Sequence, residues 1–291
     1  MSLATEMVFL NGRVVPAAEA RVSVFDAGFS HAAGLFETMR SYRGRVLRLE
    51  RHLDRLLDSA RALQMQIPVA ARDLEPAVYQ VLEANELPDA RLRLTVTPGN
   101  VPRPGEPVAE PPAPTVLVSA GPARPHPPEL YRHGMRVCLC PFRQNRHDAL
   151  AGHKTLAYLP RLLAMRHAAE QKCHEALWFN TENRLAEASV ANVFAVREGV
   201  LRTPPTDTPI LPGVTRQIVL ELAAAAGLAA AEEAIDIHGL LSAEEVFLTG
   251  SVLEIMPVTA IERHQVGAGV PGPVTRRLRE LYAELIRREC G

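Results

Sequence analysis

The chain has 291 residues, of which 47% are hydrophobic and 22% are charged, and its formal net charge is −1. This near balance of charge argues against a nucleic acid or another polyanion as a partner. No apolar run approaches the ~18 residues that a membrane-spanning helix needs, and residues 1–13 lack the pattern of a secretory signal. Four cysteines have no spacing typical of a metal site, so we expect reduced thiols, no bound metal and a cytoplasmic location.

The first half of the chain alternates predicted strands with two predicted helices. Asn11-Gly12 between two short apolar runs is typical of a type I′ hairpin. Residues 91–97 alternate between polar and apolar side chains, which predicts a half-buried strand. Asp73 is expected to cap the second helix, and the proline-rich residues 98–114 are expected to lack regular structure. The predicted elements are strands 8–10, 13–15, 35–42, 45–47, 91–97 and 115–119, and helices 49–63 and 73–86.

A proline-rich stretch at residues 121–128 predicts a stiff, exposed connector. We therefore expect an N-terminal domain at 1–120, a connector at 121–133 and a C-terminal domain at 134–291. Because hairpins and helices are segregated rather than arranged as regular βαβ units, the fold class is α+β. The predicted elements of the second half are strands 135–140, 176–179, 192–196, 200–203, 245–249 and 254–261, and helices 159–171, 214–226 and 273–289.

Lysine is almost absent from the sequence. Only Lys154 and Lys172 occur, so the other 30 of the 32 basic residues are arginine. Arginine cannot replace a lysine that forms a Schiff base, because the guanidinium stays protonated and is a poor nucleophile. Lys172 lies in a polar run and fits a solvent-exposed residue without a special role. Lys154 has sparsely charged neighbours and is therefore the candidate for amine chemistry.

Three further segments could serve a cofactor of the pyridoxal phosphate (PLP) type, which needs a lysine, a carboxylate beside its ring nitrogen and a phosphate site. Residues 211–216 would present backbone N–H groups at a helix start, with Gly213 allowing close approach. Taken alone, that segment favours an ordinary Pro-Gly turn with a threonine cap over a phosphate site. Ser251 could add a hydroxyl. Glu187 is either a surface turn residue or a buried acid with a cationic partner, and its neighbours do not decide between the two.

The segments together resemble the class IV aminotransferases, or fold-type IV PLP enzymes, which include branched-chain aminotransferases, D-amino-acid transaminases and aminodeoxychorismate lyases. The resemblance runs over almost the full length and rests on the order and spacing of the motifs. It implies a two-domain fold with an N-terminal α/β sandwich and a C-terminal pseudo-barrel with flanking helices, and it implies a homodimer. The matching segments are 9–12 (FLNG), 34–38 (GLFET), 52–60 (HLDRLLDSA), 154–158 (KTLAY), Glu187 with 192–194 (NVF), 211–216 (LPGVTR) and 254–258 (EIMPV).

The resemblance also implies roles for single residues. Lys154 matches the Schiff-base lysine, which moves a proton between substrate and cofactor, and Glu187 matches the acid that pairs with the pyridinium nitrogen. Tyr158 is near where some members place a tyrosine on the cofactor 3′-oxygen. Periodicity alone would leave Arg55 in solvent, because it lies opposite the apolar stripe of its helix. The residues that match phosphate ligands of the family are Arg55, Val214, Thr215 and Ser251.

The expected substrates are small amino acids and oxo acids. Arg91 and Arg93 lie on one face of a predicted strand, for which a solvent-facing surface is the competing interpretation. In the family, the position that matches Arg93 is basic in branched-chain aminotransferases and lyases, where it handles a carboxylate. Arg40 is a further candidate anion ligand. His31 stands where members usually carry an aromatic residue on the substrate side.

Small details separate the reactions of the family. Thr38 matches a threonine that the lyases use near the cofactor, whereas Glu254-Ile255 matches the transaminases. Pro98 stands where the D-amino-acid enzymes have an arginine, which argues against that branch. We therefore expect a transaminase that moves an amino group between an amino acid, branched-chain or similar with glutamate/2-oxoglutarate, and a 2-oxo acid. The alternative is a 4-amino-4-deoxychorismate lyase that releases pyruvate and 4-aminobenzoate.

Overall fold

The computed structural model describes residues 6–67, 70–102, 113–208 and 210–291. The chain divides into two compact units. The first comprises residues 1–124, 153–157 and 289–291, and the second comprises residues 125–152 and 158–288. Residues 153–157, which include Lys154, therefore belong to the first unit although they lie inside the predicted C-terminal domain.

The sheet of the first unit has six strands in the described residues. They are β1 (Met7–Leu10), β2 (Arg13–Pro16), β3 (Leu35–Tyr42), β4 (Arg45–Val46), β5 (Ala90–Thr97) and β6 (Thr115–Pro122). Their order is β2-β1-β6-β5-β3-β4, and each neighbouring pair is antiparallel. The type I′ hairpin is confirmed, because Asn11 and Gly12 both have positive φ.

The hydrophobic core of this unit lies between the sheet and two helices. These two helices are α2 (Leu49–Ala62) and α3 (Ala71–Ala84). A short helix, α1 (Ala27–His31), precedes them in the chain. The predicted alternation of β5 is confirmed, since Leu92, Leu94 and Val96 are fully buried. Leucines at helical spacing on α2 meet the same core, which fixes the helix against β3.

The sheet of the second unit mixes parallel and antiparallel pairs. Its strands are β7 (Met135–Gln144), β8 (Glu175–Asn180), β9 (Leu185–Ala188), β10 (Asn192–Arg197), β11 (Val200–Thr203), β12 (Ala230–Glu232), β13 (Glu245–Gly250), β14 (Glu254–Ile261) and β15 (His264–Gln265). The order is β12-β11-β10-β13-β14-β7-β8-β9, and β15 pairs with β14. Every residue of β8 and β9 is buried, so these strands show continuous burial rather than alternation.

Within the described residues, the second unit contains four helices and residues 273–288 of a fifth. They are α4 (Pro128–His133), α5 (Leu159–Glu170), α6 (Val214–Ala225), α7 (Ile237–Leu241) and α8 (Pro273–Cys290). In the part of the chain that the structure describes, none of the helices combines the length and apolar character needed to cross a membrane.

Several details differ from the sequence-based expectations. The expectation that Asp73 is an N-cap is wrong: the helix begins at Ala71, and Asp73 accepts the Ala70 N–H from inside the first turn at 3.2 Å. The predicted connector contains the end of β6 and all of α4. Residues 103–112 of the proline-rich stretch lie outside the described residues. The short elements α1, α4, α7, β9, β12 and β15 were not predicted.

Candidate active site

In the first unit, the segment that carries Lys154 lies along the start of β3. The Phe36 N–H donates to the carbonyl of Lys154 at 2.9 Å, and the Leu156 N–H donates to the carbonyl of Gly34 at 2.9 Å. Leu35 and Thr155 form an isolated antiparallel bridge. Backbone hydrogen bonds therefore fix the lysine segment next to a rigid strand, as precise placement of a reactive amine requires.

One aromatic ring contacts both the lysine and an arginine. The Lys154 Nζ lies 4.6 Å from the centre of the Phe36 ring, and the Arg93 Cζ lies 3.7 Å from the same centre. Both are cation–π contacts. Arg93 is only half-buried, so the ring holds the guanidinium in place without enclosing it.

The register of β3 and β5 brings four predicted substrate residues together. Thr38 pairs with Arg93, and Arg40 pairs with Arg91. Since directly paired residues and residues two apart point to one face of a sheet, all four share the face of Phe36. They differ in exposure: Arg91 is exposed, whereas Thr38, Arg40 and Arg93 are half-buried.

The other face of β3 carries a carboxylate that the sequence analysis did not single out. Arg55 donates from Nε to Oε1 of Glu37 at 2.9 Å and from Nη2 to Oε2 at 2.6 Å. His52 lies with Nδ1 2.8 Å from Oε2, and this nitrogen must carry the proton because an ionised carboxylate only accepts. Arg55 is therefore turned inward: its side chain is 9% exposed, contrary to what periodicity suggests.

The charges of this group follow from burial and from the arginine. Burial alone would raise the pKa of Glu37, but the Arg55 guanidinium and the His52 hydrogen bond lower it to about 2. Burial also lowers the pKa of His52, and the hydrogen bond to Glu37 opposes this only in part. Near neutral pH the group is therefore an ionised Glu37, a cationic Arg55 and a neutral His52.

His153, next to the lysine, is tied to the same helix. Its Nδ1 lies 2.9 Å from the Ser59 hydroxyl of α2. Burial lowers the pKa of His153, which favours the neutral ring. His31 lies exposed at the end of α1, where its Nδ1 is 2.7 Å from the Ser30 hydroxyl.

In the second unit, Glu187 is a buried acid with a cationic partner, which settles the alternative that its neighbours left open. It lies on β9 and is 2% exposed. Arg161 of α5 donates to Oε1, and the Leu211 N–H donates to Oε2 at 3.1 Å. Arg161 was not among the site residues predicted from the sequence. Tyr158 is half-buried and is the N-cap residue of α5, three residues before Arg161.

The start of α6 is built around Asn192. Its Nδ2 donates to the carbonyl of Leu211 at 2.8 Å, and its Oδ1 would lie 2.0 Å from a Cβ added at Gly213. A residue larger than glycine at this cap would therefore have to displace the asparagine side chain. Gly213, the N-cap residue, gives no side-chain hydrogen bond to the first turn of α6. The helix begins with Val214 and the buried Thr215.

A second hydroxyl lies near the same asparagine. Thr249 pairs with Asn192 across β10 and β13, and its buried Oγ1 has no hydrogen-bond partner within the described ranges. Ser251 follows two residues later and is half-buried. A helix start without a capping side chain beside buried hydroxyls is suited to an anion such as a phosphate. With a lysine on a fixed segment and a buried, ionically paired acid, the residues present fit pyridoxal phosphate.

Comparison with known proteins gives one consistent family. A family model described as amino-transferase class IV matches residues 34–261. A Methanocaldococcus jannaschii protein that is provisionally named branched-chain-amino-acid aminotransferase is 36% identical over 282 residues, covering 96% of each chain. A D-alanine aminotransferase of Listeria monocytogenes is 31% identical over 98% of this chain and 97% of its own length. An aminodeoxychorismate lyase of Bacillus subtilis is also 31% identical, over 97% and 95%.

Solved structures agree with this. The branched-chain amino acid aminotransferase of Escherichia coli matches with a TM-score of 0.92 and 28% identity, over 99% of this chain and 96% of the other. The branched-chain amino acid aminotransferase of Thermobaculum terrenum in its PLP form matches with a TM-score of 0.87 and 29% identity, over 99% and 96%. A further branched-chain enzyme, complexed with N-(5′-phosphopyridoxyl)-L-glutamate, matches with a TM-score of 0.89 and 30% identity, over 98% and 95%.

Proposed function

Because this chain belongs to the class IV aminotransferases and is a PLP-dependent transaminase, we propose that it exchanges an amino group between glutamate or 2-oxoglutarate and a branched-chain or similar small substrate. The family, the α+β fold class, the transaminase activity and the cofactor expected from the sequence are confirmed. The observation that carries the substrate proposal is the contact of Lys154 and Arg93 with one ring, that of Phe36.

Lys154 is the proposed catalytic residue. When bound, PLP supplies an electron-accepting ring that stabilises the charge left on a substrate carbon after its proton is removed. The amine of Lys154 would hold the cofactor and then, once released, take the proton from the substrate Cα and return it one position away. The backbone hydrogen bonds of its segment to Gly34 and Phe36 keep the amine at one place for both transfers.

The other cofactor contacts are proposed from the family motifs and the geometry of each unit. Glu187 would keep the ring nitrogen protonated, and Tyr158 would face the 3′-oxygen. In the first unit, Arg55 would contribute a cation to the phosphate. In the second unit, the N–H groups of Val214 and Thr215 and the hydroxyl of Ser251 would donate to the phosphate, which the dipole of α6 also favours.

Arg93 would bind the carboxylate that distinguishes glutamate from a neutral amino acid. A guanidinium suits this task because its N–H groups match a carboxylate in bidentate geometry, and stacking on Phe36 fixes its orientation. Thr38 and Arg40 line the same face, with Arg91 at its exposed margin. His31 remains a candidate on the substrate side. The glutamate moiety in the phosphopyridoxyl complex of the related enzyme supports a dicarboxylic partner for this chain.

The lyase is the second candidate. Thr38, which matches the lyase threonine, lies directly opposite Arg93, and a relative of equal identity to the D-alanine enzymes is named aminodeoxychorismate lyase. A carboxylate-bearing substrate would suit the same face in either reaction. Pro98 remains the argument against a D-amino-acid substrate.

We also propose a homodimer. In the second unit, four exposed apolar side chains lie on one helix, α5: Leu159, Leu162, Leu163 and Met165. In the first unit, Phe29 of α1 is 76% exposed. Exposed apolar groups of this size favour burial against a second copy. A cytoplasmic location is proposed as well, since all four cysteines are free thiols.

A panel of half-reactions tests the function. Purified enzyme loaded with PLP is mixed with single amino acids, and conversion of the cofactor to its amine form is followed by absorbance. Glutamate and branched-chain amino acids should convert it, and aminodeoxychorismate should release no pyruvate. Pyruvate release without conversion by any amino acid would establish the lyase instead.

Reduction with borohydride tests the assignment of the lysine. The reagent fixes the cofactor on the amine that holds it, and peptide mapping then locates the modified residue. We expect the modification on Lys154. Lys172 is the natural internal control, because it is the only other lysine, and modification there would overturn the assignment.

A further inference from the structure

Arg161, which is paired with Glu187, makes further contacts beyond that ion pair. Besides its bond to Glu187, Arg161 donates from Nη1 to the carbonyls of Ala188 and Ser189, both at 3.1 Å. The arginine thus spans the end of β9 through three acceptors. Its Cζ also lies 5.8 Å from the centre of the Trp178 ring. These contacts hold the guanidinium in one place on β9.

Charges around the arginine single out Glu187 as its anionic partner. Burial alone would lower the pKa of Arg161, but Glu187 raises it, with smaller contributions from Tyr158 and Glu175. Burial raises the pKa of Glu175, which is already satisfied by the N–H groups of Ala176 and Ser189. Burial also raises the pKa of nearby Cys140, so that thiol stays neutral. Glu187 is the carboxylate that the Arg161 guanidinium contacts directly.

Both oxygens of that carboxylate are held by donors of this chain, Oε1 by Arg161 and Oε2 by the Leu211 N–H. Each oxygen keeps a second lone pair, so the acid can still accept from the cofactor ring. A proton shared between a buried carboxylate and a ring nitrogen can lie on either one. A cation beside the carboxylate stabilises its ionised form and so favours the proton on the nitrogen.

We propose that Arg161 is a positioning residue that keeps Glu187 ionised and thereby places the shared proton on the cofactor ring nitrogen. The inference rests on the proposed role of Glu187 in the transaminase. Arg161 does not touch the reacting atoms in this account; it acts through the carboxylate. Without it, the pair of Glu187 and the ring would lie nearer its neutral form, in which the acid holds the proton and the ring accepts electrons less well.

The test combines two variants at this position with a spectroscopic measurement. Arg161→Gln removes the cation, and Arg161→Lys keeps it. Each apoenzyme is loaded with PLP that carries ¹⁵N in the ring, whose chemical shift reports whether the nitrogen is protonated. The matched control is Arg166→Gln, an exposed arginine on the same helix.

Wild type, Arg161→Lys and Arg166→Gln should give the signal of a protonated ring nitrogen, and Arg161→Gln should move toward the unprotonated signal. The kcat of Arg161→Gln should fall roughly 10- to 100-fold, the range typical of losing a partner that orients a functional group, with little change in KM. The double variant Arg161→Gln/Glu187→Gln should fall no further than Glu187→Gln alone, because both act on one proton.

Other outcomes would overturn the inference. An unchanged nitrogen signal in Arg161→Gln would leave Arg161 with a structural role only, whatever its activity. If Arg161→Gln does not fold, Arg161→Lys provides the test. A ring-nitrogen signal in Arg161→Lys that is as unprotonated as the signal of Glu187→Gln would then contradict the inference. Failure of the proposed function looks different: wild type would not bind PLP through Lys154, or Glu187→Gln would keep normal turnover.

Discussion

A buried carboxylate is paired with an arginine in both units, but the two pairs are built differently. In the first unit, Glu37 receives two hydrogen bonds from Arg55 and one from His52, all side chains of a single helix. In the second unit, Glu187 receives one side-chain donor and one backbone N–H, from separate segments of the chain. Glu37 thus accepts from three donors of this chain and Glu187 from two, so Glu187 keeps more capacity for a ligand.

The difference suggests a division of labour. In the first pair the proposed functional group is the arginine, which the acid would position. In the second pair the proposed functional group is the acid, which the arginine would position. Removing either acid should therefore disturb different quantities: cofactor affinity and stability for Glu37, and turnover for Glu187.

The largest effect is expected from Glu187→Gln. The amide keeps the shape of the side chain but cannot stabilise a protonated ring as a carboxylate does. We expect the cofactor to remain bound while kcat falls by about 100- to 10,000-fold, the scale of a lost proton-holding group. Steady-state kinetics and the absorbance of bound cofactor measure the two quantities. Glu170→Gln, an exposed glutamate on α5, is the control, and near-normal turnover in Glu187→Gln would remove the acid from the mechanism.

Glu37→Gln should reverse this pattern. The change leaves the Arg55 cation without its buried anion, and breaking a buried pair in this way costs about 3–5 kcal/mol of unfolding free energy. The misplaced arginine should also weaken PLP binding, while kcat at saturating cofactor changes little. Urea unfolding and titration of the apoenzyme with PLP give both values. A loss of kcat at full saturation, with PLP affinity intact, would break the proposed division.

Arg93 extends the comparison to an arginine whose partner would be the substrate. Arg93→Leu should lower kcat/KM for dicarboxylic donors by about 2–4 kcal/mol, as expected when a partner of a hydrogen-bonded charge pair is truncated. Neutral donors assayed with the same variant are the control and should be affected far less. An equal loss on neutral donors would indicate a structural role, and no loss at all would remove Arg93 from substrate binding.

The smallest effect concerns acid stability. The fold lowers the pKa of Glu37 from its ordinary 4.5 to about 2, so its stabilising contribution is complete above pH 4.5 and is lost as the pH falls toward 2. The free energy of unfolding of the wild type should thus decline more steeply than that of Glu37→Gln over this window. Burial of His52 acts in the same direction below pH 6.5 and is present in both proteins. Parallel slopes in urea titrations would show that Glu37 is not held ionised.

Much of the scaffold follows from local patterns. The Asn11-Gly12 turn, the alternation of β5 and the leucine stripe of α2 each depend on neighbours only a few residues away. β9 was not predicted because both of its faces are buried, so that Leu185 to Ala188 shows no alternation of polar and apolar residues. The inward direction of the Arg55 side chain was not predicted because it depends on Glu37. The position of Glu37 on β3 is set by sheet pairing and not by the helix.

The residues of the candidate site also divide into those with a local sequence signal and those whose partners are distant in the chain. Lys154 was predicted from its rarity and its motif, since arginine cannot replace an amine that forms a Schiff base. Arg161 gave no such signal, because its acid lies 26 residues away on another element. Gly213 was interpreted as a place for an anion to approach, whereas the Asn192 side chain already occupies the space that a larger residue would need there. Residue type and spacing can thus identify a group, but its partners come from tertiary contacts.

The two faces of β3 have a consequence for how this sequence can change. Phe36 points to one face, where it contacts Lys154 and Arg93. Glu37 points to the other face, where it binds Arg55. A one-residue insertion or deletion inside the strand would exchange the faces of both side chains at once. Length changes should therefore be tolerated in the surface loops of this protein but not in β3, and a library that varies loop lengths to alter substrate range can leave this strand untouched.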